Sequence, residues 1–257
     1  MLLAIDIGNT NTVFALLEGQ SGAIRHVWRM VTQSAKTADE YGAFYCTQMA
    51  HHKIGDTVSN VIISSVVPEA NFHISRFCET YIAQKPLFVT KDNCGIAVHI
   101  DRPEDVGADR LVNAAAILAA YPDKAPAIVI DFGTATTFDI IGANGAYEGG
   151  IIAPGINLSI TALAQAASKL PKISVTKPAR VIGKNTVEAM QSGVYWGYVG
   201  LIEGILTRLQ NEYPAPSKFS IFATGGLAAL FKHDLPQINI IDPELTLKGL
   251  YAIFQNQ

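Results

Sequence analysis

Two short turns hold the residues best suited to chemistry, and each begins with an aspartate that ends an apolar segment. Residues Asp6–Thr10 read Asp-Ile-Gly-Asn-Thr, and Asp131–Ala135 read Asp-Phe-Gly-Thr-Ala. Glycine lets the backbone turn tightly and approach a ligand, and Thr and Asn side chains with backbone N–H groups can donate to phosphate oxygens. A carboxylate repels phosphate, so a cation has to lie between them, and Mg²⁺ accepts one or two carboxylates together with phosphate and water. Each turn is a candidate phosphate site, although one copy alone also fits a β-turn capped by aspartate.

The two turns occupy equivalent places in the two halves of the chain. Asp6 and Asp131 lie nearly half a chain length apart, and each is preceded by one apolar strand and followed by another. An internal duplication explains this spacing better than chance does. Two facing copies would clamp a triphosphate between two lobes.

The hydrophobic pattern predicts the elements that position these turns. In the first half the predicted strands are Leu2–Ile7, Thr12–Leu17, Ala23–Val31, Val58–Val67 and Pro86–Thr90, and the helices are Thr37–His52 and Asn71–Ala83. In the second half the strands are Ala127–Asp131, Thr136–Ile141, Ala146–Ile152, Phe219–Ala223 and Ile238–Ile241. Its helices are Ile156 to about Lys169, Thr186 to about Gln210, Leu227–Phe231 and Pro243–Phe254. Helix Ala108–Ala120 joins the halves, so we expect an α/β fold of two mixed-sheet lobes, residues 1–117 and 118–257.

The composition excludes several classes of protein. The chain is 49% hydrophobic and 16% charged, against about 25% charged in ordinary domains, which excludes disorder. Lys and Arg total only 19 against 22 acidic residues, so we expect no binding to nucleic acid through phosphate neutralisation. Apolar runs such as Ala114–Ala120 are far shorter than the ~20 residues that span a bilayer, so we expect no membrane contact. The apolar excess is then buried in a large core, or in a core and a subunit interface.

The cysteines and the N-terminus indicate a cytoplasmic protein. Cys46, Cys78 and Cys94 form no Cys-x-x-Cys pair, which is typical of reduced thiols. Residues Met1–Asp6 hold no basic residue before the acid, so they do not resemble a signal peptide. The six histidines lack metal-ligand spacing, and we expect no histidine-based metal site.

A third glycine motif, Thr224-Gly225-Gly226, follows the predicted strand Phe219–Ala223. Two glycines at a strand-to-helix turn leave room for a flat nucleoside ring against the backbone. A plain strand-to-helix turn is the alternative.

These motifs, taken in order, resemble one enzyme family. The segments are Asp6–Thr12, Gly107–Arg110, Asp131–Thr137, Gly149–Gly155 and Thr224–Gly226. They are similar to the superfamily of acetate and sugar kinases, heat-shock chaperones and actin, which has two duplicated ribonuclease-H-like lobes. Within it they resemble type III pantothenate kinases, because Gly-Ala-Asp-Arg between the two phosphate turns is absent from the sugar kinases and chaperones.

The resemblance implies ATP-dependent phosphorylation of the primary hydroxyl of pantothenate, the first step of coenzyme A synthesis, by a homodimer with its acceptor pocket near the subunit interface. It implies an ATP-phosphate site whose residues are Asp6, Ile7, Gly8, Asn9, Thr10, Asn11, Thr12 and Val13. Asp6 would face Mg²⁺, Asp131 would bind a monovalent cation (K⁺ or NH₄⁺), and Thr134 would touch the nucleotide. The implied pantothenate contacts are Gly107, Ala108, Asp109, Arg110 and Thr186.

Asp109 is the candidate catalytic base. The attacking alcohol must lose its proton, and a carboxylate within hydrogen-bond reach can accept it. Arg110 can hold a carboxylate with two parallel hydrogen bonds, which Lys cannot do. The alternative for this pair is an acid at a helix start with a surface ion pair.

One position departs from the family pattern. The family often has Tyr where this chain has Ile100, so an aromatic side chain of the acceptor pocket is absent, or His99 or another group replaces it. Two other functions stay open: a regulatory or accessory factor on the same scaffold, and a kinase for another small hydroxylated acceptor. The first would lack Asp109 or intact turns, and the second would have sugar-binding acids and amides in place of Gly107–Arg110.

Four glycines share one face of the predicted helix Thr186–Gln210, and they are Gly193, Gly197, Gly200 and Gly204. Each costs a helix about 1 kcal/mol relative to Ala, so a neighbour is expected to pack close to the backbone. That neighbour is a helix of the same lobe, the partner subunit of a dimer, or a ligand.

Overall fold

The computed structural model describes residues 1–167, 170–213 and 218–257. The chain crosses twice between two units, the first made of residues 1–122 and 244–257 and the second of residues 123–243.

The first unit is built on a mixed sheet with strand order β3-β2-β1-β4-β5. Its strands are β1 (Leu2–Ile7), β2 (Asn11–Leu17), β3 (Ile24–Val31), β4 (Asn60–Ser65) and β5 (Leu87–Phe88). Strands β1, β2 and β3 pair antiparallel, whereas β4 runs parallel to both β1 and β5. The carboxyl ends of β1 and β4 therefore meet at one edge, where Asp6 lies opposite Ser64.

The second unit repeats this sheet with strand order β10-β9-β6-β7-β8. Its strands are β6 (Ala127–Phe132), β7 (Ala135–Ile141), β8 (Tyr147–Pro154), β9 (Ser220–Thr224) and β10 (Ile240–Ile241). Strands β6, β7 and β8 pair antiparallel, and β9 runs parallel to β6 and β10. Because order and direction match those of the first unit strand for strand, the predicted duplication and α/β class are confirmed.

Seven α-helices flank the two sheets in the described residues. They are α1 (Ala38–His51), α2 (Pro68–Phe77), α3 (Ala108–Ala120), α4 (Ile156–Ala166), α5 (Thr186–Glu212), α6 (Ala228–Phe231) and α7 (Leu245–Gln255). Thr37 caps α1 through a reciprocal pair of bonds with Glu40, which is a strong start signal. Pro68 begins α2 three residues before the predicted start, and a π-helical turn follows α2 at Cys78–Ile82. The predicted end of α4 near Lys169 lies outside the described residues.

The alternating side chains of β1 decide where Asp6 points. Leu3, Ile5 and Ile7 pack into one core of the first unit, whereas Leu2 and Ala4 pack into a second core with α3 and α7. Since side chains of a strand alternate between faces, Asp6 lies on the α3 side.

The boundaries between the two units differ from the boundary predicted between the two lobes. The predicted boundary after residue 117 falls inside α3, and α7 belongs to the first unit, not the second. The reason is a close approach of α7 to α3, because a Cβ at Gly249 would lie 2.0 Å from the Val112 carbonyl oxygen. Such packing joins segments far apart in the chain and leaves no local sequence pattern.

The glycine face of α5 packs against no other helix or strand in the described part of the chain. A Cβ at Gly193, Gly197 or Gly200 would meet nothing within 4 Å, and at Gly204 it would meet the Arg208 side chain at 3.3 Å. Tight packing against a helix of the same lobe is therefore wrong for the described residues. No helix among those residues has the length and hydropathy to cross a membrane.

Candidate active site

The first turn joins β1 to β2 and holds the residues expected to bind ATP phosphates. The Gly8 N–H donates to the Asn11 carbonyl at 3.0 Å and closes the turn. Residues 9–11 are exposed, so a ligand can reach this turn. Thr12 is instead fully buried, and its hydroxyl shares a hydrogen bond of 2.9 Å with that of Thr32. Thr12 thus anchors the turn to the chain after β3.

The second turn joins β6 to β7 in the same way but is one residue shorter. Asp131 is the fifth residue of β6, as Asp6 is of β1. The Gly133 N–H donates to the Ala135 carbonyl at 3.1 Å. Gly133 and Thr134 are exposed and can meet a ligand.

Asp6 and Asp109 form a pair of half-buried carboxylates in the first unit. Burial, followed by the negative charge of Asp109, raises the pKa of Asp6 from 3.8 to about 7, and the Ser64 hydroxyl lowers it. Burial also raises the pKa of Asp109, against the lowering effects of the Arg110 N–H and guanidinium. Two carboxyl groups with raised pKa values in one place are typical of a functional site.

The carboxyl of Asp109 folds back over the start of α3. Its Oδ1 accepts the Arg110 N–H at 2.8 Å. A Cβ at Gly107 would lie 2.5 Å from this Oδ1 and 3.4 Å from Cγ1 of Val66. A larger residue at position 107 would collide with the Asp109 carboxyl where it now lies. This contact explains why Gly107 and Asp109 occur together in the Gly-Ala-Asp-Arg motif.

Substitution Gly107→Ala is therefore expected to displace the Asp109 carboxyl. A shift of about 1 Å at a reacting group can cost about 10²-fold in rate, so we expect kcat to fall by about that factor while the affinity for an ATP analogue is retained. Steady-state kinetics and calorimetric titration measure the two quantities. Gly19→Ala, at a position where a Cβ meets nothing within 4 Å, is the matched control. An unchanged kcat in Gly107→Ala would contradict the role given to the glycine.

A cavity of about 440 Å³ opens beside the motif, within the first unit. It is lined by the carboxyl ends of β4 and β5 and by residues between 103 and 108, including Gly107 and Ala108. It is large enough for a small acceptor. Ile100 and His99 are not in its described lining, so neither replaces the family tyrosine in this cavity.

The residues present fit a divalent cation at Asp6. No group of three His, Cys, Asp or Glu among the described residues could hold a metal ion, so a cation would need further ligands from a substrate. Mg²⁺ suits this arrangement, because it takes one or two carboxylates together with phosphate oxygens and water. The raised pKa of Asp6 marks a carboxylate that a cation would stabilise.

The third glycine motif lies beside Asp131. Gly225 has φ +88°, which favours glycine, and a Cβ there would lie 2.7 Å from Oδ1 of Asp131. The second unit thus brings Thr224–Gly226 and the second turn together. Thr186 is the exposed first residue of α5, whose preceding Asn185 accepts the Glu188 N–H at 2.9 Å.

Sequence reasoning missed three polar residues in the two sheets and beside the first turn. Ser64 and Asp139 are fully buried on β4 and β7, and Thr32 anchors the first turn. Asp139 accepts hydrogen bonds from the Tyr147 hydroxyl at 3.1 Å and from the Thr137 hydroxyl at 3.2 Å. For Asp139 the available signal was a charged residue between the apolar residues Phe138 and Ile140, since buried polar groups require partners.

Known proteins match this chain over most or nearly all of its length. The sequence model of the type III pantothenate kinase family matches residues 2–208. A type III pantothenate kinase of Paramagnetospirillum magneticum is 49% identical over 256 residues, covering 98% of this chain and 96% of the relative. One of Caulobacter vibrioides is 47% identical over 259 residues, covering 99% and 97%.

Solved structures share the fold at low identity. An activator of 2-hydroxyisocaproyl-CoA dehydratase from Clostridium difficile has TM-score 0.57 at 10% identity, covering 99% of this chain and 95% of the other. An ethanolamine utilization protein from Carboxydothermus hydrogenoformans has TM-score 0.55 at 15% identity, covering 98% and 89%. These likenesses concern the fold alone, whereas the sequence matches cover nearly the full length at close to half identity. The chain belongs to the type III pantothenate kinase family.

Proposed function

We propose that this chain transfers the γ-phosphoryl group of ATP to the primary hydroxyl of pantothenate, giving 4'-phosphopantothenate in the first step of coenzyme A synthesis. The carrying observation is the Asp109 carboxyl, which folds over Gly107, a lining residue of a substrate-sized cavity, and is close enough to Asp6 to raise its pKa. Membership of the family supports pantothenate as the acceptor and ATP with a divalent metal as the donor.

Asp109 is the proposed base. Transfer to an alcohol requires the hydroxyl proton to leave as the oxygen attacks phosphorus. Burial raises the pKa of Asp109 above that of an ordinary aspartate, which strengthens its carboxylate as a proton acceptor. Arg110, next in the same helical turn, is proposed to hold the pantothenate carboxylate by two parallel hydrogen bonds.

The two turns are proposed to hold the nucleotide and its cations. Residues 6–13 would surround the ATP phosphates, with Asp6 toward Mg²⁺, which supplies charge neutralisation on the phosphates when bound. Asp131 would hold K⁺ or NH₄⁺, and Thr134 would touch the nucleotide. Their positions at the carboxyl ends of β1 and β6, next to exposed turn residues, support this assignment.

We further propose that the chain is a cytoplasmic homodimer that uses the glycine face of α5. At Gly193, Gly197 and Gly200 a Cβ would meet none of the residues that the structure describes within 4 Å, so a second copy could approach the backbone closely. All three cysteines are free, which is typical of a reducing compartment. Sedimentation equilibrium of the purified protein measures the oligomeric state.

A coupled assay of ADP release tests the function. With ATP, Mg²⁺ and K⁺ present, we expect turnover that depends on pantothenate and falls when Li⁺ replaces K⁺. Phosphopantothenate is identified by mass spectrometry, and N-acetyl sugars serve as control acceptors. Absence of pantothenate-dependent turnover would reject the proposal, and turnover with a sugar alone would favour a kinase for another acceptor.

A further inference from the structure

Each turn aspartate faces a hydroxyl residue on the neighbouring parallel strand. Ser64 of β4 lies opposite Asp6 of β1, and Thr224 of β9 lies opposite Asp131 of β6. Both hydroxyl residues are buried, Ser64 with 0% and Thr224 with 3% of its surface exposed. The two units thus repeat an aspartate–hydroxyl pair as well as a strand order.

The pairing is confined to the aspartate positions. One step earlier on the same faces, Ala4 lies opposite Ile62 and Val129 lies opposite Phe222. All four of these residues are fully buried and apolar. On each face the pair that contains the aspartate therefore includes a hydroxyl, whereas the pair before it is wholly apolar.

The Ser64 hydroxyl has no regular hydrogen-bond partner among the described residues. A buried polar group left unpaired costs about 1–3 kcal/mol, and Ala at this position would avoid that cost. The Ser64 hydroxyl acts on the Asp6 carboxyl, because it lowers the pKa of that group. A lowered carboxyl pKa is the effect expected of a bond in which Ser64 donates to Asp6.

The Asp131 carboxyl points toward the end of β9. Its Oδ1 lies 2.7 Å from the place a Cβ would take at Gly225, the residue after Thr224. Neighbouring strands lie about 5 Å apart, which lets a Thr hydroxyl reach a carboxylate oxygen on the next strand. Gly225 leaves room for the carboxylate at the end of β9, and Thr224 places a hydroxyl beside it.

We propose that Ser64 and Thr224 are positioning residues, which donate hydrogen bonds to Asp6 and Asp131 and fix each carboxylate toward the cation it faces. The proposal rests on the cation sites of the proposed function but not on the identity of the acceptor. Hydrogen-bonding partners of metal-binding side chains are typically worth about 10–100-fold in metal affinity or activity.

Two substitutions of Thr224 separate positioning from packing. Thr224→Val keeps the shape and removes the hydroxyl, whereas Thr224→Ser keeps the hydroxyl and removes a methyl group. The readout is the K⁺ concentration that gives half of the K⁺-specific rise in Tm, measured with the ATP analogue bound and Na⁺ as the reference ion. We expect that concentration to rise about tenfold or more in Thr224→Val and little in Thr224→Ser. Greater damage in Thr224→Ser, an unchanged value in Thr224→Val, or no K⁺-specific rise in the wild type would overturn the role of Thr224.

Ser64 is tested with Ser64→Ala and Ser64→Thr. The readout is the dissociation constant of Mn²⁺, followed by electron paramagnetic resonance in the presence of the ATP analogue. We expect about a tenfold higher constant in Ser64→Ala and partial or full rescue in Ser64→Thr. Ser59→Ala, at the exposed entry to β4 where the hydroxyl donates to the Met1 carbonyl at 3.3 Å, is the matched control. Equal Mn²⁺ affinity in Ser64→Ala and wild type would overturn the role of Ser64.

These binding measurements stand apart from the assay of function. A chain that binds Mn²⁺ through Ser64 and Asp6 but never phosphorylates pantothenate would reject the acceptor and keep the positioning role. A chain that phosphorylates pantothenate, but whose cation affinity does not depend on the two hydroxyls, would keep the acceptor and reject the positioning role.

Discussion

Asp109→Asn is expected to abolish phosphoryl transfer while leaving ATP binding nearly intact. Asn has the size of Asp but cannot accept the hydroxyl proton, and general-base catalysis is typically worth about 10²–10⁴-fold. We therefore expect kcat to fall by about 10³-fold. Calorimetric titration with an ATP analogue and Mg²⁺ measures the nucleotide affinity, and the coupled assay measures kcat and KM for pantothenate.

The geometry makes this substitution informative. Asp109 Oδ1 accepts the Arg110 N–H at 2.8 Å, and the side-chain amide oxygen of the variant can accept the same bond, so the start of α3 should keep its shape. Asn at position 109 does not titrate, so the raised pKa of Asp109 no longer influences the rate. A fall in kcat then reports the loss of the proton acceptor. Loss of the negative charge also relieves its repulsion of Asp6, so nucleotide and metal affinity should hold or increase slightly.

Asp105→Asn is the matched control. Asp105 lies four residues before Asp109, is exposed, and forms an ion pair with Arg102 at 3.1 Å, and an exposed pair is worth at most about 1 kcal/mol. We expect wild-type kinetics from it. A large loss of ATP affinity in Asp109→Asn, with kcat unchanged at saturation, would move Asp109 from the base role to nucleotide binding.

The strands and the two turns could be predicted because their signals are local. An apolar run that ends in Asp and Gly specifies a buried strand, its end and a tight turn within a few residues, as at Asp6 and Asp131. The start of α1 is equally local, since Thr37 and Glu40 satisfy each other's backbone N–H groups. Repetition of the same local signal in both halves then specified the duplicated sheet.

Long-range packing could not be predicted in this way. The return of α7 to the first unit depends on Gly249 meeting the Val112 carbonyl, a contact between positions far apart in the chain. The place of Ser64 opposite Asp6 follows only from the parallel register of β1 and β4, because a slip of one residue would turn Ser64 to the other face. The fit of Asp109 against Gly107 likewise needs the three-dimensional course of the segment before α3.

Asp6→Asn is expected to remove catalysis and at the same time to stabilise the protein free of ligands. An amide cannot replace the charge that faces the metal and phosphates, so we expect activity to fall by about 10³-fold or more. The folded protein, however, withdraws the Asp6 carboxyl partly from water and holds it near Asp109, which raises its pKa from 3.8 to about 7. A neutral Asn of the same shape avoids that cost.

The sign of the effect on stability follows from the two pKa values. Between pH 3.8 and about pH 7 the unfolded chain has released the Asp6 proton while the folded protein keeps it, so the contribution of this carboxyl to folding stability falls as pH rises through that window. Below the window wild type and Asp6→Asn should unfold alike. Above about pH 7 the variant should be more stable by a constant amount, on the order of 5 °C in Tm.

Thermal unfolding of both proteins at several pH values on either side of that window, without nucleotide or divalent metal, measures the effect. Asp56→Asn, at an exposed aspartate, is the control and should show no such change. Addition of Mg²⁺ and the ATP analogue should reverse the order, because ligands that bind the folded state raise Tm and the variant has lost the carboxylate that faces them. If Asp6→Asn is instead less stable than wild type above the window, the carboxylate has a structural role in the free protein. If Asp6→Asn still has the higher Tm when Mg²⁺ and the ATP analogue are bound, Asp6 does not face the metal.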